Sequence, residues 1–187
     1  MSTLAQGQPR RKRQEIPDPQ IRNAADQFET ARRLLDAQPP GAGVVYPLMN
    51  TAAVAIELYL KCLSAEKVHT DTGQGWKKVS AKPQRGHGLT ALLDKIDGDL
   101  RNELGLAFST ELLASGGISF RAALELCEGT FETSRYPFEP GQDLSKAPLP
   151  VLMECSHFLH RFVAKLLTRE TIQWLDQEPQ HACSQSQ

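Results

Sequence analysis

Between the two polar ends of the chain, apolar residues return about every 3.6 positions, and no stretch shows the sustained β-branched alternation of a half-buried strand. That periodicity excludes a large sheet. It predicts an all-α fold, a single helical bundle of about five or six helices. With 187 residues, one core is expected rather than two.

The boundaries follow from where the period starts and stops. Residues 1–17 are rich in Gln, Pro and Arg and carry Arg10, Arg11, Lys12 and Arg13 without apolar spacing. They read as a disordered basic tail, either simply solvated or touching nucleic acid. The helical domain spans 18–177, and 178–187 form a second disordered tail. Asp18 and Pro19 are an N-cap and a first helical residue, for a helix whose stripe is Ile21, Ala24, Ala25, Phe28, Ala31, Leu34 and Leu35. A second helix from about Pro47 to Glu66 is apolar nearly all round and belongs in the middle of the bundle. His69 to Gly88 reads as a long loop. Two short helices follow, near Leu89–Ile96 and Leu100–Phe108, then one over Ser119–Phe131. Pro137 closes a turn after Arg135-Tyr136, and a final helix starts near Pro148 and runs towards Trp174.

The net charge of −1 gives no global attraction to polyanions, so any anion-binding surface must be local. Cys62, Cys127, Cys155 and Cys183 form no CxxC pair, and three of them sit in apolar patterns, as expected of reduced thiols. No apolar run approaches the ~20 residues that span a bilayer, and the N-terminus lacks the apolar stretch of a signal peptide. A cytoplasmic protein without a membrane partner is expected. GxGxxG, P-loop, GxSxG and HExxH motifs are absent. Cys155, His157 and His160 lack a third well-spaced metal ligand, so no metal and no cofactor are expected.

Three places break the apolar pattern. Glu57 and Lys61 stand four apart on the otherwise apolar second helix, where each charge needs a partner. They form either a structural ion pair or narrow solvated strip, or part of a functional site. Arg85-Gly86-His87-Gly88 precedes a helix whose free N–H groups favour an anion. Arg135-Tyr136, stiffened by Pro137, offers a planar fork to a carboxylate or phosphate.

In their order, Ala53-Val-Ala-Ile-Glu57-Leu-Tyr-Leu-Lys61, Gly86-His87-Gly-Leu89-Thr-Ala-Leu92-Leu93 and Phe131-Glu-Thr-Ser-Arg135-Tyr136-Pro137 resemble the HEPN superfamily, in particular its bacterial members with A-x-E-L-x-L-K, G-H-x-L and R-Y segments. The resemblance covers about Asp18 to Arg169. It implies a helical bundle, frequent homodimerisation, and RNA cleavage or nucleotide binding in bacterial defence or toxin systems. Active members use an arginine followed by a histidine at R-x4-6-H; here no arginine has a histidine five to seven positions after it. The expectation is therefore a pocket of Glu57, Lys61, His87, Arg135 and Tyr136 that binds RNA, a nucleotide or a partner protein's acidic group without turnover. Within it, Glu57 is expected to contact Arg135. The alternatives are a variant metal-independent ribonuclease, with His87 as acid or base, Arg135 and Lys61 on the phosphate and Glu57 orienting His87, and a purely structural dimeric scaffold. Apolar residues on several sides of the final helix suggest the dimer face.

Overall fold

The computed structural model describes residues 10–71, 76–82, 86–111, 117–136 and 148–174. Helix α1 (Pro19–Asp36) starts where the sequence places it: Asp18 Oδ1 accepts the N–H groups of Gln20 and Ile21, each at 3.0 Å. The Asp18 N–H donates to the Cys62 carbonyl at 2.8 Å, tying this start to the end of α2 (Val45–Cys62). α2 is the central helix, with Ala52, Ala55, Ile56, Tyr59 and Leu60 fully buried. Around it pack α1, α3 (Leu89–Leu93), α6 (Thr130–Arg135) and α7 (Leu149–Lys165). α4 (Gly98–Glu111) and α5 (Phe120–Cys127) close the far side. There Phe108, Phe120 and Phe158 meet with ring centroids 4.9 to 5.5 Å apart. Each such buried ring contributes about 1.5–3 kcal/mol by removal from water. The protein is a helical bundle, five helices of eight residues or more and two single turns among the described residues.

Four local expectations change. First, residues 10–16 are not tail but strand β1 (Arg10–Ile16), and β2 (Glu66–Asp71) begins at the expected end of the second helix and runs into the segment read as a long loop, which also holds β3 (Trp76–Lys82). With β4 (Arg169–Trp174) they form an antiparallel sheet in the order β3-β2-β1-β4. These segments are too polar to show apolar alternation, and β1 pairs with partners at the other end of the chain, such as Arg11 with Trp174. A backbone ladder joins these strands, and periodicity cannot register it. Residues 1–9 and the predicted tail at 178–187 lie outside the described residues.

Second, α7 ends at Lys165 and Trp174 belongs to β4 rather than to the final helix. Leu152, Leu159 and Val163 are fully buried and Phe162 and Leu166 pack on the core; of the predicted dimer face only Leu167, 83% exposed, faces solvent. Third, the Ser119–Phe131 helix is two helices, broken at Gly129, whose φ of +74° is the left-handed conformation that glycine adopts without strain. Fourth, α1 turns Ala25, Glu29 and Arg32 inward and leaves Phe28 and Leu34 exposed, contrary to the apolar stripe. A buried ion pair fixes that rotation.

Candidate functional site

Two of the pattern-breaking places meet. α2 carries Glu57 and Lys61 on its last turns, and Lys61 Nζ donates to Glu57 Oε1 at 2.5 Å, with 16% and 10% of the two side chains exposed. His87, just before α3, brings Nδ1 to 3.0 and 3.1 Å from the two oxygens of the same carboxylate. The buried Glu57 thus has two cationic or donor partners, as desolvation requires. His87 is 60% exposed at its side chain, open to a ligand. With Nδ1 held by Glu57, Nε2 is the nitrogen left for that ligand.

The break at Gly129 swings α6 back onto α2. Asn50 Nδ2 donates to Ser134 Oγ at 3.5 Å across that contact. Phe131 then stacks on the His87 ring, centroids 5.7 Å apart and planes 24° from parallel. The Arg135 guanidinium carbon lies 5.9 Å from the Phe131 centroid and 5.4 Å from that of Tyr136, within cation–π range. Arg135 is the last residue of α6 rather than part of a turn beyond it. It does not pair with Glu57 as expected; a stacked imidazole and phenyl ring stand at that place in the arrangement.

His87 and Glu57 line a cleft of about 230 Å³ together with Gly88, Glu128, Phe131 and Glu132. Arg135 lines the adjoining trough, which Phe131 shares with Phe28, Tyr46 and Val54. Lys61 lines neither. The cleft is acidic. Moreover, the N–H groups at the start of α3 are already taken: Glu128 Oε1 accepts from Leu89 N at 3.0 Å, and Oε2 from Thr90 N at 3.3 Å and Thr90 Oγ1 at 3.4 Å. A phosphate at that helix start would displace a carboxylate. Phe131 and Glu132 belong to the segment that leads to Arg135-Tyr136 but, like Glu128, were not among the candidate site residues; Phe131 resembles an ordinary core residue, and a cap supplied from another helix leaves no local spacing.

A second polar set was also missed. Along the seam of α1 and α7, Glu29, 1% exposed, accepts from Arg32 Nε at 2.6 Å and Nη2 at 2.7 Å, from Arg33 Nε at 3.0 Å and from Ser156 Oγ at 2.7 Å. Burial pushes its carboxyl up, but the hydrogen bonds from Arg32 and Ser156 and the charge of Arg32 outweigh it and hold the group below the usual carboxylate range. One turn away, the buried Tyr59 hydroxyl lies 2.7 Å from Asp26 Oδ1 and 2.8 Å from His160 Nδ1. Burial first, then the hydrogen bond to Asp26, push that hydroxyl up, so it stays a donor. The spacing Ala25, Glu29, Arg32 on one helical face was the available signal.

Cys155, His157 and His160 go three ways: Cys155 meets Cys127 in the core, His157 Nδ1 lies 3.8 Å from Glu29, and His160 joins Tyr59 and Asp26. Among the described residues no group of three His, Cys, Asp or Glu is placed to hold a metal ion. No described helix is long and apolar enough to cross a membrane. No protein-family model matches the chain, and no curated protein or solved structure is significantly similar to it.

Proposed function

We propose that the chain is a HEPN-like nucleotide- or RNA-binding module of a bacterial defence or toxin-type system, binding without efficient turnover. One observation carries the reading: an exposed imidazole stacked on Phe131, with the Arg135 guanidinium over the same ring and over Tyr136. Unpaired bases are held by stacking on aromatic and guanidinium planes, at about 1–3 kcal/mol per base. The acidic cleft refines the pose. Carboxylates accept from the amino and imino groups of a base and repel its phosphate, so the base enters beside Glu57 and Glu132 and the phosphate stays on the rim towards Arg135. Lys61 neutralises Glu57 in this reading and does not touch the ligand. Homodimerisation remains part of the proposal through the resemblance alone.

The Glu57–His87 pair also favours a second reading, a variant ribonuclease. A carboxylate on Nδ1 orients the ring, as a general acid or base needs. The spread of His87, Arg135 and Lys61 over the cleft, the trough and neither puts binding first. Affinity for nucleotides and short RNA, measured for the parent, His87→Ala and Arg135→Ala with cleavage followed in the same tubes, decides between them. Binding weakened by about tenfold or more in each variant, without cleavage, is the expected result. Cleavage abolished by His87→Ala would establish the enzyme instead, and no affinity for any of these ligands would leave a structural scaffold.

A further inference from the structure

The buried Glu29–Arg32 pair that fixes the rotation of α1 leaves Phe28 on the outer side of that helix, 37% exposed. With Tyr46 and Val54 of α2 and Phe131 of α6, Phe28 walls the trough that adjoins the cleft. The trough holds about 690 Å³ and the cleft about 230 Å³. Ligand sites ordinarily run to ~300–1,000 Å³, so the cleft has room for part of a ligand and the trough for the remainder. The two recesses differ in charge. Glu57, Glu128 and Glu132 line the cleft, whereas no Asp or Glu lines the trough. Arg135 is the one Lys or Arg lining either, and its guanidinium carbon lies 5.9 Å from the centre of Phe131, the ring that both recesses share.

We propose that the trough is the subsite of a second base, so that the ligand is a single-stranded dinucleotide unit or longer, with its bridging phosphodiester at Arg135. The inference rests on the proposed placement of a base in the cleft, which sets the phosphate of that base towards Arg135. A mononucleotide ends there and leaves Phe28 and Tyr46, 37% and 46% exposed, uncovered. A phosphodiester carries a second nucleoside onto them, where rings of any base can stack. The trough also offers a base edge something to pair with. Asn50 Nδ2 donates to Ser134 Oγ at 3.5 Å, its one side-chain hydrogen bond among the described residues, so its carbonyl oxygen and second N–H remain for a base. Charge favours a nucleotide over an apolar partner segment. Arg135 pairs with no carboxylate among the described residues, so an apolar segment would cover its charge without a counter-ion, and a phosphodiester supplies one.

The test titrates the full chain with the dinucleotide adenylyl-adenosine and with the methyl ester of adenosine monophosphate, which carries a single base and the same single negative charge. The dinucleotide should bind about tenfold tighter, as one further stacked base provides. Tyr46→Ala and Phe28→Ala, at exposed positions of two different helices, should each bring that ratio down towards one, with thermal unfolding preserved. A ratio near one in the parent, with the ester still bound, would overturn the second subsite and leave the cleft standing. No binding of either ligand would overturn both. A tenfold ratio that neither variant alters would put the second base elsewhere and overturn the trough as its subsite. A dimer in light scattering that Tyr46→Ala dissociates would assign the trough to a second copy of the chain and overturn the proposal as well.

Discussion

Glu128 Oε1 accepts the backbone N–H of Leu89 at 3.0 Å, a helix cap supplied from 39 residues away. It fills the anion position at the start of α3 with a carboxylate of the protein itself, and so decides which end of a ligand the cleft admits.

Removing that cap separates its two roles. Glu128→Ala should lower stability by about 1 kcal/mol, as loss of a helix cap does, and should raise affinity for inorganic phosphate by freeing the N–H groups of Leu89 and Thr90. Thermal unfolding and phosphate titration of the same sample measure both. A variant that is less stable but no better at binding phosphate would show that the remaining acidic residues govern the cleft.

Glu57 should contribute far more to stability than its exposed partner. In Glu57→Ala, Lys61, 16% exposed, loses its counter-ion, and breaking such a pair costs about 3 kcal/mol. In His87→Ala a largely solvated ring is lost, at a cost nearer ~1 kcal/mol. Chemical denaturation of both variants gives the comparison; equal midpoints would mean that Glu57 is solvated and the ion pair incidental.

The bundle was legible because its helices bury apolar faces, and Asp18 with Pro19 marks the start of α1 in plain sequence. The sheet was not, since Arg10–Ile16 and Arg169–Trp174 meet through backbone hydrogen bonds that no side-chain period encodes. The site was half legible. Glu57, Lys61 and His87 stand out as polar intrusions and come together. Arg135 reaches the same region only through the kink at Gly129, which also placed Glu128 over α3 and Phe131 under His87. One residue of left-handed backbone thus moved three functional positions, and a glycine inside a periodic run gives little notice of that.

Tyr59→Phe removes the hydroxyl that joins two polar groups of the seam. The hydroxyl is buried and serves Asp26 and His160, which are 38% and 28% exposed and can turn to water when it is gone. The expected loss is therefore about 1–2 kcal/mol, the ordinary net contribution of two hydrogen bonds. A loss of several kcal/mol in the unfolding free energy would mean that Asp26 is trapped without a substitute.

Acid should act on the fold through Glu29. Its carboxyl sits below the ordinary value of 4.5, so protons bind the unfolded chain more tightly than the folded one. The stabilisation is complete above about pH 4.5 and drains away as the pH falls through the lower folded value. His157, held below its ordinary 6.5 by burial and then by the charge of Arg161, adds a separate loss that begins as the pH drops through that value. Glu29→Gln removes the first component and, because the Glu29 charge draws the His157 value back up, enlarges the second. It leaves Arg32, 4% exposed, without its carboxylate partner, and should cost about 3 kcal/mol at neutral pH. Unfolding free energies of parent and variant measured from pH 7 downward should converge below pH 4.5, since a protonated Glu29 pairs with Arg32 no better than glutamine does. Curves that stay parallel through the acid range would show that Glu29 titrates normally and that the seam owes its stability to packing.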